Sequence, residues 1–345
     1  MNILGIETSC DETAVSIVTD RKEILSNVVW SQLAKHREFG GVVPEVSARA
    51  HLSRIESLVE EALARAKISL EDLDGIAATC GPGLIGGVMI GAMMGKALAS
   101  VLQKPFLAIN HLMAHALTPR LFSEIPFPYL LLLVSGGHCQ LLVARSPLDY
   151  DLLGSTLDDA VGEAFDKVGR MLGIDYPAGS TIERLAQKGN PRAYNFPKPL
   201  LNRKDSCDFS FSGLKTAARQ LIEQFANSLD EKKNDICASF QYTVGEILKN
   251  RSQNALRQCL GAEIHLNAFV MAGGVASNVY LYSQLESVSR DYVTSFKAPP
   301  PEYCVDNGAM VAWAGVELMG LGVSSSLDFS PRPRWPLTEL KGTYQ

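Results

Sequence analysis

Asn2-Ile3-Leu4-Gly5-Ile6-Glu7-Thr8-Ser9-Cys10-Asp11-Glu12-Thr13-Ala14-Val15-Ser16-Ile17-Val18-Thr19 opens the chain as apolar run, polar turn, apolar run. Asn2–Glu7 and Ala14–Thr19 carry the β-branched residues that suit strands, and Thr8 to Thr13 supply the turn. The theme returns at mid-chain, where Tyr129–Val134, the turn Ser135-Gly136-Gly137-His138 and Gln140–Ala144 again read strand, polar turn, strand. Two halves that each begin with a hairpin follow from this repeat. Two such turns facing one another can clamp a polyphosphate, with glycine avoiding a side-chain clash against a close ligand; singly, each is equally well a solvent-exposed turn.

Working outward, strands alternate with amphipathic helices, an α/β pattern. A helix is expected from about Leu52 to Ala66, where Leu52, Ile55, Leu58, Ala62 and Ala66 recur at helical steps. Ser69 with Asp72 reads as a short capping box or as plain loop, and strands are expected at Gly75–Thr79 and Pro105–Ile109. Between those strands, Leu84 to Val101 is apolar but interrupted by Lys96, short of the roughly 18 unbroken residues of a membrane span. It reads as a buried helix whose Gly87, Gly91 and Gly95 let it lie close to a sheet.

The 345 residues carry a net charge of -5 and 46% hydrophobic residues, which suits two domains or one large bilobal one and excludes disorder and collagen-like repeats. Seven cysteines without a CxxC pair argue against a disulfide framework and a cysteine-ligated zinc, and so for a reducing compartment, the cytoplasm. The N-terminus runs straight into strand, so no signal or transit peptide is expected, and no membrane association.

From about Tyr176 to Leu229 the alternation stops and prolines crowd in, which reads as an insert. From Arg184 to Arg219 there are eight basic residues against two acidic ones, beside Tyr194, Phe196, Phe209 and Phe211. That combination suits a nucleic-acid backbone with unstacked bases, or else a solvated lobe. Later, Ala268–Ala272 runs into Gly273-Gly274-Val275-Ala276-Ser277-Asn278 and a helix, a nucleotide-site order without the GxGxxG or P-loop fingerprints. The tail Pro331–Pro336 is expected to be extended.

His111 and His115 lie one helical turn apart, so both imidazoles project from one helix face and can share a metal. A zinc protease would need a Glu after the first His as its base, and that position is Leu112. Asp306 is the candidate oxygen ligand, although an Asp before an apolar helix is also a good N-cap. On a helix from about Asp158 to Leu172, the carboxylates Asp159, Glu163 and Asp166 form a stripe, either a solvated face or a set of acceptors for sugar hydroxyls. There is no Gly-x-Ser-x-Gly elbow and no cysteine in a nucleophile setting, so a metal with a pre-activated substrate is the more economical chemistry.

Taken together, Ile6–Thr13, Gly40–Glu45, Gly81–Leu84, His111 with His115, Val134–His138, Gly162–Lys167, Phe209–Lys215, Met271–Val275 and Asp306–Met310 closely resemble, in order and over nearly the whole chain, the TsaD family of bacterial tRNA adenosine threonylcarbamoyltransferases, once labelled glycoprotein endopeptidases. The resemblance implies an actin-like, sugar-kinase-like (ASKHA) α/β fold of two RNase H-like halves around a nucleotide cleft, 1–125 with 325–345 and then 126–324, with the insert at about 176–229. It implies that His111, His115 and Asp306 hold one divalent metal, iron(II) before zinc. Leu133, Val134, Ser135, Gly136 and Gly137, with Asp166, Gly179, Glu183 and Asn278, would hold the adenylate or ATP. The family's Gly-Gly-Pro followed by Asp is here Ala178-Gly179-Ser180-Thr181-Ile182-Glu183, which keeps the carboxylate and adds a methylene.

The implied reaction moves threonylcarbamoyl from threonylcarbamoyl-AMP to the exocyclic amine of the adenosine 3′ of the anticodon in tRNAs reading A-starting codons. Asp11 and Glu12 are the expected proton-handling carboxylates, unless they only hydrogen-bond within their own turn. The implied partners are tRNA, the TsaB and TsaE proteins, and a TsaC-type enzyme that supplies the adenylate. The rival classes are a metalloprotease-like hydrolase and an actin-like kinase or scaffold.

Overall fold

The computed structural model describes residues 1–344 other than 38, 40, 293 and 294. Gly40, which opens the Gly40–Glu45 motif, lies outside the described residues. The chain divides into two compact units, one of Met1–Glu124, Ser146–Tyr150 and Val305–Gln345, the other of Ile125–Arg145 and Asp151–Cys304.

The first unit contains β1 (Asn2–Glu7), β2 (Glu12–Thr19), β3 (Ile24–Ser31), α1 (Leu33–Arg37), α2 (Pro44–Leu52), α3 (Ile55–Ala66), β4 (Gly75–Gly81), α4 (Ile85–Leu102), β5 (Phe106–Asn110) and α5 (His111–Phe122). Its sheet has the order β3-β2-β1-β4-β5, with β1 antiparallel to β2 and parallel to β4. The opening hairpin is therefore the centre of the sheet. β1 is buried on both faces, which is why Ile3, Leu4 and Ile6 read as an apolar run. The helix expected from about Leu52 to Ala66 is α3, which begins at Ile55, and α2 ends just before it at Leu52. Ser69 donates both its backbone N–H and its hydroxyl to Asp72, as the capping pattern predicts.

The next elements are β6 (Tyr129–Val134), β7 (Cys139–Ser146), β8 (Asp149–Ser155), α6 (Val161–Met171), α7 (Gly179–Ala186), α8 (Ser212–Gln224), α9 (Leu229–Gly261), β9 (Ala268–Ala272), α10 (Val279–Asp291), β10 (Ser295–Lys297) and α11 (Gly308–Gly320). The second sheet has the order β10-β9-β6-β7-β8, with β6 antiparallel to β7 and parallel to β9. Counted from its own first strand this is the topology of the first sheet, so the repeated hairpins do mark a repeated fold. The core of the second unit packs Leu130, Leu132, Phe165, Phe240, Val244 and Phe269 together. Helix α11 packs on β1, β2, β4 and α5, so the chain returns to the first unit at Val305 rather than at 325. A helix with nine buried apolar or small residues from Ala309 to Leu318 needs a sheet to cover, and sequence order does not say which sheet.

Two sequence expectations change. Helix α4 is buried on one face only: Gly87, Val88, Gly91, Ala92, Gly95 and Ala99 face inward, whereas Ile85, Met89, Met93 and Val101 are exposed. By length and composition it is long and apolar enough to cross a membrane, a test that core helices of soluble proteins also pass, and a third of it is buried. In the insert, Phe196, Phe209 and Phe211 are buried core residues and Tyr194 packs on Phe225, so these rings are not platforms for bases. Of the basic residues, Lys198 lies 3.7 Å from Glu246 and Lys215 pairs with Asp159, while Arg184, Lys188, Arg192, Arg203 and Lys204 are exposed.

The glycine spacing of α4 has a local cause. The Thr8 hydroxyl enters the helix, donating to the Gly87 carbonyl at 2.8 Å and accepting from the Gly91 N–H at 3.1 Å. A Cβ on Gly91 would lie 2.3 Å from that oxygen. Gly91→Val is expected to lower unfolding stability by about 1–3 kcal/mol through overpacking, read from urea denaturation. Gly320→Ala, where no atom lies within 4 Å of the added carbon, should stay within about 0.5 kcal/mol of the parent.

Candidate active site

The candidate residues fall into two groups, one in each unit. In the first, β5 ends at Asn110, whose side-chain oxygen accepts from the Leu112 and Met113 N–H groups and so starts α5 at His111. The Asn110 amide also donates to the Trp335 carbonyl at 2.8 Å, tying the C-terminal tail to the same point. His111 and His115 then stand one turn apart with ring centroids 4.7 Å apart and planes nearly perpendicular.

Asp306 meets them from the loop before α11. Its Oδ1 is 3.0 Å from His115 Nε2 and 3.6 Å from His111 Nε2, and one ligand atom from each of the three residues lies within 4.8 Å of the others. Asp306 is not the helix cap, because Asn307 does that work by accepting from the Met310 N–H. This leaves the Asp306 carboxylate to the histidines. Two imidazoles and one carboxylate are a donor set that suits iron(II) or zinc and leaves coordination positions open, so the residues fit the expected metal.

Electrostatics ties this cluster to the opening hairpin. Burial disfavours a charged imidazole at His111, but Asp306 and then Glu7 outweigh it and hold its pKa up at about 9. Burial raises Asp306 less than the two histidines lower it, and it falls to about 2. Glu12, the first residue of β2, is pushed up to about 9 by burial, then by the negative charges of Asp306 and Asp11, with a hydrogen bond to Asp11 adding to the rise. Burial beside like charges raises a carboxyl group in this way. Burial and the same acidic neighbours push the Cys10 thiol far up, which removes it as a nucleophile.

The second group is joined through helix starts. The β6–β7 turn closes by Ser135 N–H to His138 O at 2.8 Å, and the Gly162 N–H donates to Ser135 O at 3.2 Å, so α6 begins against the turn. Gly136 and Gly137 have no protein atom within 4 Å of an added Cβ, whereas a Cβ on Gly162 would meet Ser135 O at 2.7 Å. The protein itself would accept side chains at the turn glycines. Leu133 and Val134 are buried strand residues, so that segment can offer only backbone.

Asp166 on α6 accepts from the Ala178 N–H at 2.8 Å, which sets the start of α7 at Gly179. Glu183 on α7 accepts from the Val279 N–H at 2.7 Å, and Asn278 caps α10 by accepting from the Leu281 N–H while donating to Gln241. Asp166, Gly179, Glu183 and Asn278 thus form one connected chain. Of the acidic stripe, Asp159 instead pairs with Lys167 and Lys215. Asp158, which the stripe did not include, accepts from Ser210 and from the Phe211 and Ser212 N–H groups at the start of α8. Glu7, Ser9, Asn110 and Gly162 carry structural weight that the residue patterns did not single out. The one available signal was a charged Glu7 ending an otherwise apolar central strand.

The family model described as TsaD, tRNA N6-adenosine threonylcarbamoyltransferase, matches residues 23–313. A protein of that description from Paramagnetospirillum magneticum is 52% identical over 98% of this chain and 97% of its own length. One from Rickettsia rickettsii is 50% identical over 99% of both. Among solved structures, HypF from T. kodakarensis superposes with a TM-score of 0.60 at 13% identity, covering 92% of this chain and 48% of that one. The activator of the 2-hydroxyisocaproyl-CoA dehydratase from Clostridium difficile does so at 0.51 and 15%, covering 94% and 99%. Those two likenesses bear on the fold alone, the ASKHA fold of two RNase H-like halves.

His111 must lose a proton before it can ligate a cation, and that proton is held up to about 9. Zinc affinity of the purified protein is therefore expected to rise with pH, up to about tenfold per unit between pH 7 and 9, with about one proton released per ion. Calorimetry in buffers of different ionisation enthalpy reads both. His115→Ala should abolish any zinc binding that the parent shows.

Proposed function

The chain belongs to the TsaD family of tRNA N6-adenosine threonylcarbamoyltransferases, and on that premise we propose how its residues divide the reaction. The enzyme transfers threonylcarbamoyl from threonylcarbamoyl-AMP to the exocyclic amine of the adenosine 3′ of the anticodon in tRNAs reading A-starting codons. The new bond joins that nitrogen to the carbamoyl carbon, the anhydride C–O bond breaks, AMP leaves with the electron pair, and the amine gives up a proton.

An aromatic amine is a weak nucleophile, so the acyl group and the proton both need help. We assign His111, His115 and Asp306 to a single divalent ion, iron(II) or zinc, on the convergence of their ligand atoms within 4.8 Å. Such an ion supplies Lewis-acid polarisation of a carbonyl or phosphate oxygen. Glu12, hydrogen-bonded to Asp11, takes the proton from the amine. Its ionisation would follow if Asp306 shared its charge with a cation. In the second unit the backbone of Leu133–Gly137 faces the phosphate, and Asp166, Gly179, Glu183 and Asn278 hold the nucleoside end of the adenylate or ATP. The free carboxylate edge of Glu183 and the open space at Gly179 support this, although part of each group already serves a helix start.

The exposed Arg184, Lys188, Arg192, Arg203 and Lys204 support a tRNA backbone contact on the insert. An anticodon-loop base is already unpaired, so presenting it costs less than extrusion from a duplex. The exposed apolar stripe Ile85, Met89, Met93 on α4 supports a protein partner, for which TsaB and TsaE are our candidates, with a TsaC-type enzyme supplying the adenylate in the cytoplasm. A protease reading has nothing to rest on, since Leu112 is buried where the general base would be.

Nucleoside mass spectrometry of bulk tRNA from depleted cells should show loss of threonylcarbamoyladenosine with other modified nucleosides intact; unchanged levels would refute the cellular role. In a purified system Glu12→Ala should slow transfer by about 10²–10⁴-fold while equilibrium binding of threonylcarbamoyl-AMP persists. Arg203→Glu with Lys204→Glu should weaken tRNA binding and reduce the slope of log affinity against log salt by about 1–2, measured by filter binding.

A further inference from the structure

Glu7 ends the central strand β1 with its carboxylate wholly inside the first unit, 1% exposed. Its Oε2 lies 3.0 Å from His111 Nδ1 and accepts from the Thr79 hydroxyl at 2.6 Å, while its Oε1 accepts from the Ser9 N–H at 2.5 Å. A charge buried this completely needs hydrogen-bond donors at both oxygens, and here they come from β4, from its own turn and from α5. The imidazole contact is the informative one. It engages Nδ1, whereas the other ring nitrogen, Nε2, lies 3.6 Å from Asp306 Oδ1.

We propose that Glu7 is the positioning residue of the metal centre: by accepting from His111 Nδ1–H it fixes the tautomer that leaves the Nε2 lone pair for the ion, and makes that nitrogen a stronger donor. A carboxylate can only accept, so the proton it faces sits on Nδ1. Outer carboxylates of this kind orient ligand histidines and raise their basicity. Thr79 in turn anchors Oε2, and because Thr79 belongs to β4 beside β1, the ring orientation is set by the sheet rather than by a loop. Ser9 Oγ, 3.1 Å from the same Nδ1, is the competing partner.

The inference rests on the assignment of the ion to His111, His115 and Asp306, and the test separates the two. Zinc titration of the metal-free chain at fixed pH compares the parent with Glu7→Gln, Ser9→Ala and Thr79→Val. Glu7→Gln should weaken zinc binding about 10–100-fold, Thr79→Val by a smaller factor, and Ser9→Ala by less than about twofold. Nitrogen-15 correlation spectra of the zinc-loaded parent should show His111 protonated at Nδ1 with a far-downfield proton, and that signal should move upfield in Glu7→Gln; this readout does not depend on turnover. If the parent binds no zinc, the metal assignment falls and the proposal with it. If the parent binds and Glu7→Gln binds equally well, or if Ser9→Ala carries the loss, Glu7 is not the positioning residue. Should Glu7→Gln fail to fold, the parent's spectrum decides: a His111 proton on Nε2 overturns the proposal.

Discussion

Three carboxylates, those of Glu7, Glu12 and Asp306, share one buried neighbourhood with the His111 imidazole, and their charges do not balance. One imidazolium offsets Glu7 and Asp306 in part, so Glu12 keeps its proton and its pKa rises to about 9. Coulomb interactions at such distances are weakened little by solvent when the groups are buried. Exchange of the His111 proton for a divalent ion adds one unit of positive charge. That is the change that would let Glu12 ionise, so the proposed ligand set and the proposed proton acceptor would be coupled through electrostatics without touching.

The rest of the first unit brings these groups to one place. β1 delivers Glu7 at its end, the following turn delivers Asp11 and Glu12, β5 hands over to α5 at His111, and the loop before α11 brings Asp306 across. Helix α4 has to lie close enough to cover the Thr8 end of the hairpin, and its glycines allow that. The second unit uses the same strand order differently. Its hairpin turn carries glycines in place of carboxylates, so it offers backbone N–H groups and space where the first offers charge. One topology therefore presents two kinds of turn.

Much of this was legible in the chain. The repeated hairpins predict the repeated sheets, and the i, i+4 histidines predict a shared ligand face, because both rest on fixed periodicities. Asp306 was ambiguous between cap and ligand because the two roles ask for the same residue type; Asn307 resolves it only in three dimensions. The insert's phenylalanines read as exposed because they sit among prolines and lysines. A core cluster formed from helices far apart in sequence takes them in, and no local pattern reports that. The membership of α11 failed for the same reason: an all-round apolar helix says it is covered and does not say by what. Glu7 was hidden differently, since a single charge at a strand end is ordinary until its partners are known.

Those partners also narrow the choice of proton acceptor. Both Glu7 oxygens already accept hydrogen bonds, from Ser9, Thr79 and His111, and the side chain is wholly buried, which keeps it from a substrate proton. Asp306 faces the two imidazoles and falls to about 2, too weak a base for an amine. Glu12 accepts only a Ser31 hydroxyl, at 3.1 Å, among the hydrogen bonds to its carboxylate from other elements of the described chain, and its high pKa makes it the strongest base of the three once ionised. A protease of the HExxH kind places its base on the histidine helix beside the ligands. Here that helix position is buried Leu112, and Glu12, the carboxyl group we propose as the base, opens strand β2 instead. Separating base from ligand helix suits a reaction whose nucleophile is an amine on a second substrate rather than an ion-bound water, because the acceptor is then free to meet the amine from its own side.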